Sequence, residues 1–307
     1  MSRNLVSIIR KSGLIYHYLL QGIILVLFVF SCSGKVSKPV EPDEVPLYHT
    51  WLSLKEKDYG EPGFPPPQEI PPERFFPWAG IVSHHLLAHD YLDAWFSRLA
   101  ETRKPRRFFI LSPSHFGLSL EPYSLTNGSW ESGFGLVESD RNKVNELAKT
   151  LKVDLDPGVF QAEHGVSALI PYIKKYFPEA KVVAIAYEGE PPVNIPKCSR
   201  LADALKNEFG EKGKEENFLL ISTDFSHHGN LEQTNRRDTY SEQYFNNPKN
   251  ISWNMAGCDN RPGIFVLDRL GKNNLEAFIL YHTNSWEISN QWEDDITSYF
   301  FVYFADK

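Results

Sequence analysis

Three segments of this sequence place histidine beside serine or aspartate directly after a run of apolar residues. They are Ile81-Val82-Ser83-His84-His85, Ile110-Leu111-Ser112-Pro113-Ser114-His115 and Leu220-Ile221-Ser222-Thr223-Asp224-Phe225-Ser226-His227-His228. Imidazole nitrogen is the commonest protein ligand to transition metals and titrates near neutrality, so one residue type serves both metal binding and proton transfer. Glu163-His164, Asp224 and Cys258-Asp259 add carboxylates and a thiol. A thiolate is a strong, soft ligand for iron, copper or zinc, and Asp259 offers a harder oxygen ligand one residue away. One such histidine alone would more often be a hydrogen-bonded loop residue, but a convergent set with carboxylates points to a site.

The elements that must position these residues are readable from hydrophobic periodicity. Gly80-Ile81-Val82, Arg107 to Leu111, Lys181 to Tyr187 and Phe218 to Ser222 are short runs of strand type. Leu86 to Leu99, Val144 to Leu151, Val166 to Phe177 and Ser199 to Phe209 carry helical spacing, a further helix starts near Pro262, and Leu275 to His282 and Ile296 to Phe304 supply late strands. Strands alternating with helices predict an α/β fold, a single three-layer domain with a central, largely parallel or mixed sheet flanked by helices. In such sheets ligands bind beyond the carboxyl ends of the strands, where the three histidine segments lie.

Outside this domain the chain changes character. Arg3, Arg10 and Lys11 precede an apolar stretch from Leu19 to Phe30, shorter than a bilayer span and of the length of a signal-peptide core. It ends in Val29-Phe30-Ser31-Cys32, which resembles the lipobox of bacterial lipoproteins. Residues 1–31 are therefore expected to be a lipoprotein-type signal peptide and Cys32 the lipidated residue, with the rest extracytoplasmic and lipid-anchored to a bacterial membrane. Between Ser33 and Pro77 fall ten of the 21 prolines, so residues 32–77 read as an extended spacer and 78–307 as the domain. Tyr48, Trp51 and Leu54 are the spacer residues able to pack on that domain. Formal charge is −7, and losing Arg3, Arg10 and Lys11 takes it to −10, which argues against a nucleic-acid partner. If Cys32 is lipidated, Cys198 and Cys258 remain, and outside the cytoplasm a disulfide between them is the alternative to a ligand role for Cys258.

The order and context of Ser83-His84, Pro113-Ser114-His115, Glu163-His164, Ser222-Thr223-Asp224-Phe225-Ser226-His227 and Cys258 with Pro262 resemble the Memo-like family, also called AmmeMemoRadiSam system protein B. Ser298-Tyr299 fits too, and the resemblance runs from about Ala79 to the C-terminus. It implies a Memo-like fold, shared with the class III extradiol dioxygenases. It also implies His84, His115 and Cys258 as metal ligands, with His227 as acid/base beside Asp224, and Glu163 and His164 as further catalytic residues. The sequence departs from the family at Ser167 and Leu169, where a Glu and a His are usual, and at Leu86 and Leu87, where Gly-Tyr is common.

Together these features predict a membrane-tethered non-haem metalloprotein, an oxidoreductase using iron or copper on a small-molecule substrate. A binding protein without turnover and a zinc-dependent hydrolase are the rival readings.

Overall fold

The computed structural model describes residues 45–50, 65–119, 122–187, 193–271, 274–291 and 293–307. The expected signal segment and Cys32 lie outside the described residues, as do Trp51 and Leu54. In chain order the elements are β1 (Leu47–His49), β2 (Ala79–Val82), α1 (His89–Thr102), β3 (Arg107–Pro113), β4 (Tyr123–Leu125), β5 (Ser129–Ser132), β6 (Gly135–Glu138), α2 (Arg141–Leu151), α3 (His164–Ser167), α4 (Ile170–Tyr176) and β7 (Lys181–Tyr187). There follow α5 (Ile195–Leu205), α6 (Glu211–Glu216), β8 (Asn217–Ser222), α7 (Leu231–Asn246), α8 (Arg261–Gly271), β9 (Leu275–Asn284), α9 (Ser285–Ser289) and β10 (Ser298–Asp306).

Seven strands form the main sheet in the order β4-β7-β3-β8-β2-β10-β9. The four central strands are parallel, and β4, β10 and β9 join antiparallel, so the sheet is mixed. Side chains alternate across it. Phe109, Leu111, Leu219 and Ile221 enter one apolar cluster with Val144, Leu201 and Ile264 from α2, α5 and α8. Phe108, Ile110, Phe218 and Leu220 enter the other with Leu92, Trp95 and Phe96 from α1 and Ile173 from α4. Both faces are thus covered, which is why these strands read as continuous apolar runs. Gly80 is needed in β2 because a Cβ there would fall 2.3 Å from the Trp95 ring; the bare backbone lets that indole lie against the strand.

Several elements depart from the periodicity reading. The helix expected over Val166 to Phe177 is two short helices, α3 and α4. The helix expected over Ser199 to Phe209 starts earlier, at Ile195, where the Asn194 side chain accepts from Lys197 N. Helix α7 has no strong apolar stripe; its N-terminus is held by a capping box in which Asn230 and Gln233 satisfy each other's backbone N–H groups.

Parts of the proline-rich stretch pack on this domain. β1 pairs in parallel with β5 in a small sheet, β1-β5-β6, and Tyr48 is buried against Trp130. Along the outer edge of β9, Gln68 N donates to Leu280 O at 2.7 Å, Ile279 N donates to Glu69 Oε2 at 3.0 Å, and Phe75 meets Phe278 edge-on. An edge strand left bare would template pairing with other chains, and this segment covers it.

Candidate metal centre

Strands β3, β8 and β2 are adjacent and parallel, so their carboxyl ends deliver His115, Thr223 to His227, and Ser83-His84 to one crevice. The rings of His84 and His115 have centroids 4.7 Å apart, and the tilted His164 ring lies 4.1 Å from that of His115. Asp259 completes the cluster from the loop before α8. Its Oδ2 lies 3.4 Å from His84 Nε2, 3.6 Å from His115 Nε2 and 3.8 Å from His227 Nε2. Atoms bound to one ion at 2.0–2.1 Å sit about 2.9–3.4 Å from each other, so these contacts need little tightening to become coordination. Two groups, His84/His115/His164 and His84/Asp224/Asp259, bring a ligand atom from each member within 4.8 Å of the others and could hold a metal ion. They share His84 and are linked by the Asp259–His115 contact, so they are parts of one cluster.

Each ligand candidate is oriented from behind. His84 Nδ1 is 3.0 Å from Ser222 Oγ, and His115 Nδ1 is 2.7 Å from Glu163 Oε1. Both rings therefore turn Nε2 to the crevice, the arrangement in which a ring's second nitrogen is anchored while the first binds metal. Asp259 Oδ1 accepts from Thr223 Oγ1 at 2.6 Å and Asp224 N at 3.0 Å, leaving Oδ2 to face the histidines. Asn260 ties the loop down, donating from Nδ2 to Leu111 O and Ser222 O while its Oδ1 accepts from Gly263 N.

The ionisable groups of the crevice shift one another strongly. Burial acts to lower the pKa of His84, but Asp224 and Asp259 outweigh it and raise it. His115 likewise rises to about 9, because hydrogen bonds to Asp259 and Glu163 overcome its burial. Asp259 is held well below the usual carboxylate range: burial opposes this, and the His84 charge with hydrogen bonds from His115, His84 and Thr223 prevails. His164 is pushed down to about 4 by burial and by the charges of His84 and His115.

The residues singled out in the sequence fall into distinct places. His84, His115, His164, Asp224 and His227 reach the crevice. Glu163 is buried behind it, accepting from His115 Nδ1, His115 N and Gly165 N, so it orients His115 rather than facing a substrate. Asp224 accepts from Ser83 Oγ at 2.5 Å and faces His84 at 3.6 Å; the carboxylate beside His227 is Asp259. Cys258 belongs to neither ligand group. It packs beside the apolar cluster that takes in Trp253 and Met255, close enough to Tyr244 to affect its ionisation. Backbone hydrogen bonding explains the difference: Asp259 N donates to Asp224 O while Asp224 N donates to the Asp259 side chain, which turns residue 259 to the histidines. No disulfide joins Cys258 to Cys198, whose Sγ lies 3.0 Å from Tyr187 Oη. His85 points aside, its Nδ1 2.5 Å from Tyr299 Oη. Ser222, Thr223 and Asn260 carry the support and were not identified as site residues from the sequence. The one signal for Ser222 is a polar residue closing an apolar strand.

Residues 81–252, more than half of the chain, match the profile described as "Memo-like protein". The chain belongs to the Memo-like family. A MEMO1 family protein of Pyrobaculum aerophilum is 33% identical over 148 residues, 47% of this chain and 51% of that protein. A MEMO1 family protein of Caldivirga maquilingensis is 29% identical over 164 residues, 53% of this chain and 55% of that one. The chain thus spans about half the length of these Memo-like relatives. An uncharacterized Escherichia coli K12 protein of known crystal structure superposes with a TM-score of 0.49 at 10% identity, over 73% of this chain and 98% of that one. His84, His115, Glu163-His164, Asp224 and His227 fall within the Memo-like match, and Cys258-Asp259 lies beyond its end.

Proposed function

We propose that this Memo-like protein is a non-haem metalloprotein, an oxidoreductase whose metal is held by His84, His115 and Asp259. The observation that carries the reading is Asp259 Oδ2 within 3.4 and 3.6 Å of two imidazole Nε2 atoms whose Nδ1 atoms are anchored. Two nitrogens and one carboxylate make a harder ligand set than one with a thiolate, which favours iron(II) over copper, with zinc the competitor. Bound there, iron(II) would supply redox chemistry toward dioxygen.

The chain's own residues supply the rest. His227 Nε2 is buried and has no hydrogen-bond partner among the described residues, and it stands 3.8 Å from Asp259 Oδ2. It is the group placed to take a proton from a hydroxyl of a small-molecule substrate entering between it and the ligands. Asp224, fixed by Ser83, brings a second carboxylate to the Nε2 side of His84, 3.6 Å from it, and favours a cation in the crevice. His164, neutral through its depressed pKa, is available as a further nitrogen ligand or as a neutral wall.

The basic start, the apolar stretch Leu19 to Phe30 and Val29 to Cys32 support the companion proposal that the protein is exported and anchored to a bacterial membrane through lipidated Cys32. The test of the catalytic reading is oxygen uptake by protein loaded with iron(II), copper or zinc, in the presence of small oxygen-bearing chelating substrates. Uptake confined to the iron-loaded form supports it. Ester or amide cleavage by the zinc form, without oxygen uptake, would make the protein a hydrolase instead.

A further inference from the structure

The anchors behind His84 and His115 are not independent. Ser222 Oγ lies 2.5 Å from Gly165 O as well as 3.0 Å from His84 Nδ1. Two oxygens at 2.5 Å require a hydrogen between them, and a carbonyl has none to give, so the Ser222 hydroxyl hydrogen is committed to Gly165 O. Ser222 can then only accept from His84, which places a hydrogen on His84 Nδ1 and leaves Nε2 for the crevice. On the other side, Gly165 N donates to Glu163 Oε1 at 2.8 Å, and that same oxygen takes His115 Nδ1 at 2.7 Å. Both Glu163 oxygens accept backbone N–H groups, Oε1 from Gly165 N and Oε2 from His115 N at 2.9 Å, the pattern of a carboxylate. Glu163 has no hydrogen to offer, so His115 Nδ1 also carries one.

We infer that residue Gly165 is the shared element of one hydrogen-bond chain, His115–Glu163–Gly165–Ser222–His84, that presents the Nε2 atoms of both histidines together. Ser222 and Gly165 are positioning residues, acting through the histidines and not on a ligand directly. Gly165 suits this place because a Cβ on it would fall 2.3 Å from Ser112 Oγ and 3.1 Å from Glu163 Oε1. Any side chain there would push away the peptide that both anchors grip. Outer partners of metal-binding histidines typically contribute 10- to 100-fold in affinity. The inference rests on the reading of His84 and His115 as ligands for its consequence, but the hydrogen-bond chain itself is readable without a metal.

The test is nitrogen-15 NMR of histidine-labelled protein, first metal-free and then with added zinc(II), for the wild type, Ser222→Ala and Glu163→Gln. In the wild type both His84 and His115 should show slowly exchanging Nδ1–H signals without metal, and coordination through Nε2 with zinc. Ser222→Ala should lose the protected His84 signal, keep that of His115, and bind zinc ~10- to 100-fold more weakly. Glu163→Gln should disturb His115 first and provides the second reading if Ser222→Ala does not fold. Coordination of either ring through Nδ1, or a Ser222→Ala protein with an unchanged His84 signal, would overturn the inference. Wild type with both protected signals and no zinc affinity would uphold the hydrogen-bond chain and refute the metal reading.

Discussion

Asp259 Oδ2 stands 3.6 Å from His115 Nε2 while the other oxygen of the same carboxylate is taken up by Thr223 and Asp224 N. One carboxylate oxygen is thereby reserved for the crevice, while the neighbouring Cys258 packs against the apolar cluster and belongs to neither ligand group. Asp259→Ala should therefore lose metal, whereas Cys258→Ser should retain it near the wild-type level. Measured by elemental analysis of the two purified variants, the opposite ranking would return the third ligand to the thiol.

His115 has a pKa raised to about 9 in the metal-free protein, so at pH 7.5 it is an imidazolium. A metal binding at Nε2 must displace that proton, and that of His84, whose pKa is also raised, so apparent affinity should rise at least tenfold per pH unit between about 7 and 9. The sign for stability is opposite. A folded pKa above the unfolded value of about 6.5 stabilises the metal-free fold fully below that value, and the contribution is lost as pH rises through about 9. Titration with zinc(II) and thermal unfolding across this window check both halves. A flat affinity from pH 7 to 9 would show that no ligand proton is displaced.

His227 separates metal binding from chemistry, since its Nε2 faces Asp259 without belonging to a ligand group. His227→Ala should keep metal content near wild type and lower turnover ~10²- to 10⁴-fold. If it loses metal as fully as His115→Ala, it is a ligand.

Much of the fold was legible because the strands buried on both faces are continuous apolar runs, and β2, β3, β7 and β8 appear close to their expected limits. His84, His115 and His227 were legible for the same reason, each following such a strand. Helix α7 was not, because its sequence is polar and its start is set by capping at Asn230. The placing of Asp259 beside the histidines depends on its backbone and side-chain hydrogen bonds to Asp224, which adjacent letters do not encode. Ser222 carries no signature of its own; its role appears only when Gly165 O is brought within 2.5 Å.

The tether is tested separately from the site. Growth with a labelled fatty acid should mark the wild type and leave Cys32→Ala unmarked. Two unmarked proteins, both found inside the cell, would remove the export proposal while leaving the crevice untouched.

The central claim is that the crevice is a metal site, and elemental analysis of protein purified from its native compartment tests it most directly. The account predicts about one transition-metal ion per chain, iron foremost, and its loss in His115→Ala, since a three-ligand site has little coordination to spare. Native protein without metal that also fails to retain added iron(II), copper or zinc would contradict it.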